Sequence, residues 1–110
     1  MAATYEDARL VVDLMRWGTE LGLQDALGAI FADDFDPETA AHDDPAVNKV
    51  LLYGETLGTL VKHDILDRDL ITDLWWLEGI WKQVQPAVVR TRERDEEATL
   101  YENFEALAAH

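Results

Sequence analysis

The chain contains no cysteine and no serine. Without thiols it can form no disulfide, offer no thiolate to a metal and present no thiol nucleophile. Without serine it cannot be a serine hydrolase, nor carry a prosthetic arm on a seryl oxygen. Positive charge is scarce: nine Lys and Arg stand against 23 Asp and Glu, a formal charge of −14. Phosphate binding needs clustered Lys and Arg, so direct contact with nucleic acid or an anionic membrane surface is not expected. No apolar run approaches the ~18–20 residues of a membrane span, and Met1-Ala2-Ala3-Thr4-Tyr5-Glu6-Asp7 lacks the basic start of a signal peptide. The expectation is a cytoplasmic protein without a cofactor.

What is present is apolar and helical. At 48% hydrophobic residues the acidity does not mean disorder, because disordered chains are charged and also poor in apolar residues. A length of 110 residues suits a single domain over 1–110. The 3-and-4 spacing of apolar residues predicts an all-α bundle of about five helices with short connections.

Thr4 and Asp7 form a capping box that opens a helix with Leu10, Val11, Leu14, Trp17 and Leu21 on one side, ended by Gly18 or Gly22. A second helix follows through Leu23, Ala26, Leu27, Ile30 and Phe31. Asp36-Pro37 can start a short turn and Asp44-Pro45 starts a longer helix, since proline suits the first helical position. That helix carries Val47, Val50, Leu51, Gly54, Leu57, Gly58 and Val61 on one face, leaves Leu52, Tyr53 and Leu60 off it, and ends near Lys62-His63. Asp67 caps a helix running through Leu70, Leu74, Leu77, Trp81, Val84 and Val88, with Pro86 expected to kink or split it. Thr99 and Glu102 form a second capping box before Leu100, Phe104 and Leu107.

Trp75 and Trp76 fall on opposite flanks of the helix that Asp67 opens. Burying both, with Trp81, calls for a central helix wrapped by the others, or for one tryptophan in an intermolecular surface. Leu52 and Leu60 pose the same question, so Trp75, Trp76, Leu52 and Leu60 are the candidate interface of a homodimer or a complex with a protein partner. Gly54 and Gly58, one turn apart, predict a groove for a bulky side chain such as a tryptophan. Asp73 lies inside the apolar arc, Glu78 at its edge and Glu55 beside Gly54. Buried carboxylates need partners, and Arg90 and Arg92 are the candidates.

Three constellations could carry metal chemistry. His42-Asp43 and His63-Asp64 resemble the His-Asp pairs of helical metal phosphohydrolases, but they sit in inter-helix turns rather than on a converging frame. The stretch Asp33-Asp34-Phe35-Asp36 has a calcium loop's early acids. Read from Asp34, it has Thr39 where the turn glycine belongs and Pro45 where the bidentate glutamate belongs. Glu102 and Glu105 supply one E-x-x-E pair, with no matching motif on another helix.

The second half carries a series of motifs in order: Glu55-x-x-Gly58-x-Leu60-Val61, Ile65-Leu66-Asp67-x-Asp69-Leu70, Trp81, Pro86, Arg92, and Tyr101-x-x-Phe104-Glu105-x-Leu107-Ala108. This series resembles a family of small bacterial helical proteins, domain of unknown function 4760, over residues 45–110 and more loosely before them. Members commonly place an aromatic residue before the first Glu, where this chain has Gly54, and many have an N-terminal membrane segment, which is not expected here. The resemblance implies a helical fold, no established activity, and a polar network of Glu55, Arg92 and Glu105 with Trp81 beside it. In that network Arg92 pairs with Glu55 or Glu105. The leading functional expectation is a non-enzymatic interaction or self-association protein. One alternative is an acidic decoy for the basic surface of a nucleic-acid-binding protein. The other is a metal-dependent hydrolase using His42, His63 and Asp64.

Overall fold

A computed structural model describes residues 3–109. Among these residues there are six helices and no strand: α1 (Tyr5–Leu21), α2 (Leu23–Ile30), α3 (Pro45–Lys62), α4 (Arg68–Leu74), α5 (Leu77–Asp95) and α6 (Glu102–Ala108). The Thr4 hydroxyl accepts from the Asp7 N–H while the Asp7 carboxylate accepts from the Thr4 N–H, which closes the capping box that opens α1. Gly22, at φ 82°, ends α1 in the left-handed conformation that glycine adopts without steric cost and turns the chain straight into α2. Asp44 and Asp67 cap α3 and α4 through their carboxylates.

The core is built on α3. Val47, Val50, Leu51, Tyr53, Leu57 and the two glycines of its inner side are buried. α6 packs across α3 most extensively, followed by α2. Tyr53, placed off the apolar face by helical period, is 3% exposed. Its ring stacks on Trp17 at 5.1 Å and meets Trp75 edge-on at 5.8 Å, and its hydroxyl donates to the Leu14 carbonyl at 2.7 Å. The polar end is thus satisfied, so the whole side chain can be covered.

Three expectations are corrected. The helix from Asp67 is not continuous: it stops at Leu74 and restarts at Leu77, with Trp75 extended and Trp76 also outside the helical conformation between them. In a helix the two indoles would point about 100° apart, and one core could not receive both. Opening the backbone sends Trp75 inward and Trp76 elsewhere. The break also leaves Asp73 and Glu78 exposed, with Glu78 3.5 Å from Lys82, so neither carboxylate seeks Arg90 or Arg92. Second, α5 is not split at Pro86, which lies inside the helix. The carbonyl that the missing N–H would have engaged belongs to Lys82, an exposed residue, where water can serve it. Third, Thr99 does not cap the last helix. α6 begins at Glu102 behind Tyr101, which has a left-handed backbone and makes no side-chain capping bond.

Candidate functional site

The missing cap of α6 comes from α3. One Glu55 carboxylate oxygen accepts from the N–H groups of Asn103 and Phe104 at 3.0 and 2.9 Å, and the other accepts from Asn103 Nδ2 at 2.8 Å. These two N–H groups are among the four that a helix leaves unpaired at its start. Gly54 and Gly58 make the approach possible. A Cβ at Gly54 would collide with the Phe104 ring, and one at Gly58 with the Asn103 backbone. The groove expected at these glycines therefore holds Phe104 and its own backbone rather than a tryptophan. Trp81 meets the Phe104 ring edge-on at 5.0 Å.

Arg92 closes the other side of α6. Its Nε donates to the Leu100 carbonyl at 2.9 Å, and its guanidinium lies 3.0 Å from the Glu105 carboxylate. Arg92 thus bonds Glu105, while Glu55 is engaged by the α6 backbone. Arg92→Leu should lower the unfolding free energy by about 2 kcal/mol, the scale of two charge-assisted bonds discounted for the half-exposed Glu105. An unchanged melting temperature would contradict this. Arg90 does a separate job, donating to the carbonyls of Pro37 and Ala40 and so holding the α2–α3 connection against α5.

A second clasp joins α1 to the start of α4. Besides its box with Thr4, the buried Asp7 accepts from the Asp67 N–H at 3.0 Å. The Thr4 N–H above all, with the Thr4 hydroxyl and the Asp67 N–H, outweighs burial and holds the Asp7 carboxyl below the usual carboxylate range. A carboxyl with a lower pKa folded than unfolded stabilises the fold above the ordinary range. That contribution disappears as pH falls through the folded value. Asp7→Asn should therefore flatten the acid limb of the stability–pH curve below about pH 4, read from urea midpoints across pH.

The four candidate interface residues do not share one surface. Leu52 is 46% exposed and lines a shallow depression on α3 with Leu60 and Tyr101, while Trp75 is half-buried against Tyr53. Trp76 is 70% exposed. Its ring lies over Gly79, where any Cβ would strike it, and stacks on Phe31 at 6.0 Å with the planes 14° apart. Phe31 is itself 45% exposed. The pair forms an aromatic platform open to solvent on its outer side. An open depression of about 530 Å³ adjoins it, lined by Asp73, Leu74, Trp76 and Glu78 among others. Sequence reading treated Phe31 only as the end of α2's apolar face. The one signal for its role was an aromatic at a helix terminus with Asp33 and Asp34 just beyond it.

His42 is half-buried at the start of its turn, while His63 and Asp64 are exposed past the end of α3. Among the described residues no three His, Asp or Glu side chains gather as a metal site. The ligand set of a His-Asp hydrolase is not assembled by His42, His63 and Asp64. No described helix is long and apolar enough to cross a membrane.

A family model described as a domain of unknown function, DUF4760, matches residues 3–110. The chain belongs to this family. The match takes in residues 3–44 as well as the second half, where the sequence motifs lie. Comparison with curated proteins and with solved structures returns no match. In this DUF4760 chain the motif residues Glu55, Trp81 and Arg92 surround α6, which carries Glu105 itself, whereas Phe31 and Trp76 lie outside that set.

Proposed function

We propose that this DUF4760 chain is a non-catalytic interaction module that docks a protein partner on its Phe31–Trp76 platform. The observation that carries this reading is Trp76: a tryptophan 70% exposed and yet stacked on Phe31 and seated over Gly79. Exposed, immobilised aromatics are the anchors of protein interfaces, because they bury large area and lose little conformational entropy on binding. Gly79 adds support. It sits in the first turn of α5, where alanine would favour the helix by up to about 1 kcal/mol. The chain has the residue that leaves room for the indole.

Asp73 and Glu78 border the platform and the whole chain carries −14, so the fitting partner presents an apolar anchor flanked by Lys or Arg. A guanidinium over the free face of Trp76 would add a cation–π contact. The test is a photo-crosslinking residue placed in cells at position 74, an exposed site lining the same depression, which leaves Trp76 in place, with position 52 as control. The expected result is a basic protein crosslinked at 74 and not at 52. No adduct at 74, or equal adducts at both positions, contradicts the reading.

A further inference from the structure

The Phe31–Trp76 platform joins two parts of the chain that otherwise touch little. Phe31 caps the end of α2, which packs mainly on α3 and meets α5 over a small area. Trp76 precedes α5 and lies over Gly79 in its first turn. Packing where the two helices meet is also incomplete. A cavity of about 20 Å³ is lined there by Leu23 and Leu27 of α2 and by Leu77 and Ile80 of α5, among others. That is room for about one water molecule, but the walls are apolar.

Burial of Leu23, Ala26 and Ile30 holds α2 to the core. Apolar burial is non-directional, so beside a cavity it leaves the end of α2 room to slide or turn. A directional bond crosses the junction at the residue next to Phe31. Gln83 Nε2 donates to the Ile30 carbonyl at 2.6 Å. That carbonyl is one of the last four of α2, which find no acceptor role within their own helix. Gln83 lies one turn beyond Gly79 on the same face of α5. The stripe that seats the indole therefore also grips the end of α2. Arg90, two turns further along that stripe, takes up the following segment at the Pro37 and Ala40 carbonyls.

We infer that Gln83 is a positioning residue: by fixing the Ile30 carbonyl it sets Phe31 against Trp76 and so assembles the docking platform. Its purpose rests on the docking role proposed above, whereas its effect on the two rings is a property of the free chain.

NMR of the full chain, with no partner present, tests that effect. The parent should show cross-relaxation between the Phe31 ring and the Trp76 indole, whose centroids are 6.0 Å apart. Gln83→Met keeps the length of the side chain and donates nothing. It should lose these cross-peaks while those between Trp17 and Tyr53 persist, which marks an intact core. Gln83→Lys keeps an N–H donor at the C-terminal end of α2, where a cation is favoured, and should retain them. In cells, crosslinking at position 74 should fall at least about fivefold in Gln83→Met and not in Gln83→Lys, since only the assembled fraction binds. Unchanged Phe31–Trp76 cross-peaks in Gln83→Met overturn the inference. So does their loss in Gln83→Lys as well, or their loss together with the Trp17–Tyr53 cross-peaks, which would make Gln83 a residue of the general fold. Undiminished crosslinking in a Gln83→Met chain without the cross-peaks overturns it too. A parent that gives no adduct at position 74 defeats the docking role instead, and the cross-peaks still decide what Gln83 does.

Discussion

Glu55→Ala should lower the unfolding free energy by about 3 kcal/mol, read from urea denaturation. Three hydrogen bonds end on this carboxylate, and two of them come from backbone N–H groups at the start of α6. Bonds to a charged acceptor are worth about 1.5–3 kcal/mol singly, less where water can replace them, and a lost helix cap costs about 0.5–2 kcal/mol. The effect is large because α6 has only seven residues. Isolated helices below about 12–15 residues are marginal in water, so α6 depends on what α3 gives it. Glu55→Gln retains one acceptor oxygen and should lose about half as much. An alanine variant within about 0.5 kcal/mol of the parent would mean that water caps α6 equally well.

Gly58→Ala should cost about 2–4 kcal/mol, although alanine favours a helix over glycine by about 1 kcal/mol. The added methyl meets the Asn103 backbone, which cannot swing aside as a flexible side chain would. Either α6 lifts from α3 or Glu55 loses its bonds. Gly28 is the control, because it is also helical but a Cβ there meets nothing within 4 Å. Gly28→Ala should therefore gain about 0.5–1 kcal/mol. Equal effects at the two glycines would remove close packing as the reason for Gly58.

The sequence was legible where structure is local. Thr4 with Asp7, Asp44 with Pro45, and Asp67 each cap a helix from within a few residues, and all three starts were readable. The end of α1 was readable only as Gly18 or Gly22; the helix runs through Gly18 and stops at Gly22. The start of α6 was not readable, because its cap sits 48 residues away in Glu55 while Thr99 offered a plausible local substitute. Helical period also ran straight through Trp75 and Trp76. Period records which residues are apolar; it does not record that two adjacent indoles compete for one core. Tyr53 was misplaced because its hydroxyl finds the Leu14 carbonyl, a partner on another helix that no spacing rule reveals.

The same division holds for the sites. Motif order pointed to Glu55, Arg92 and Glu105 together, and the three do converge on α6. Trp76 was legible as a candidate for exposure, but its platform was not. Phe31 reaches it only through the way α2 and the α4–α5 break are brought together, and Gly79 matters only because an indole lies on it.

The proposed docking surface is separate from the residues that hold the fold: Glu55, Gly58 and Arg92 hold α6, while Phe31 and Trp76 are exposed. The most direct test is the affinity of Trp76→Ala for the partner crosslinked at position 74, measured by calorimetry beside the variant's urea midpoint. The expected result is a loss of at least about tenfold in affinity, with stability within about 1 kcal/mol of the parent because the side chain is largely exposed. Unchanged affinity in a folded Trp76→Ala variant would contradict the account.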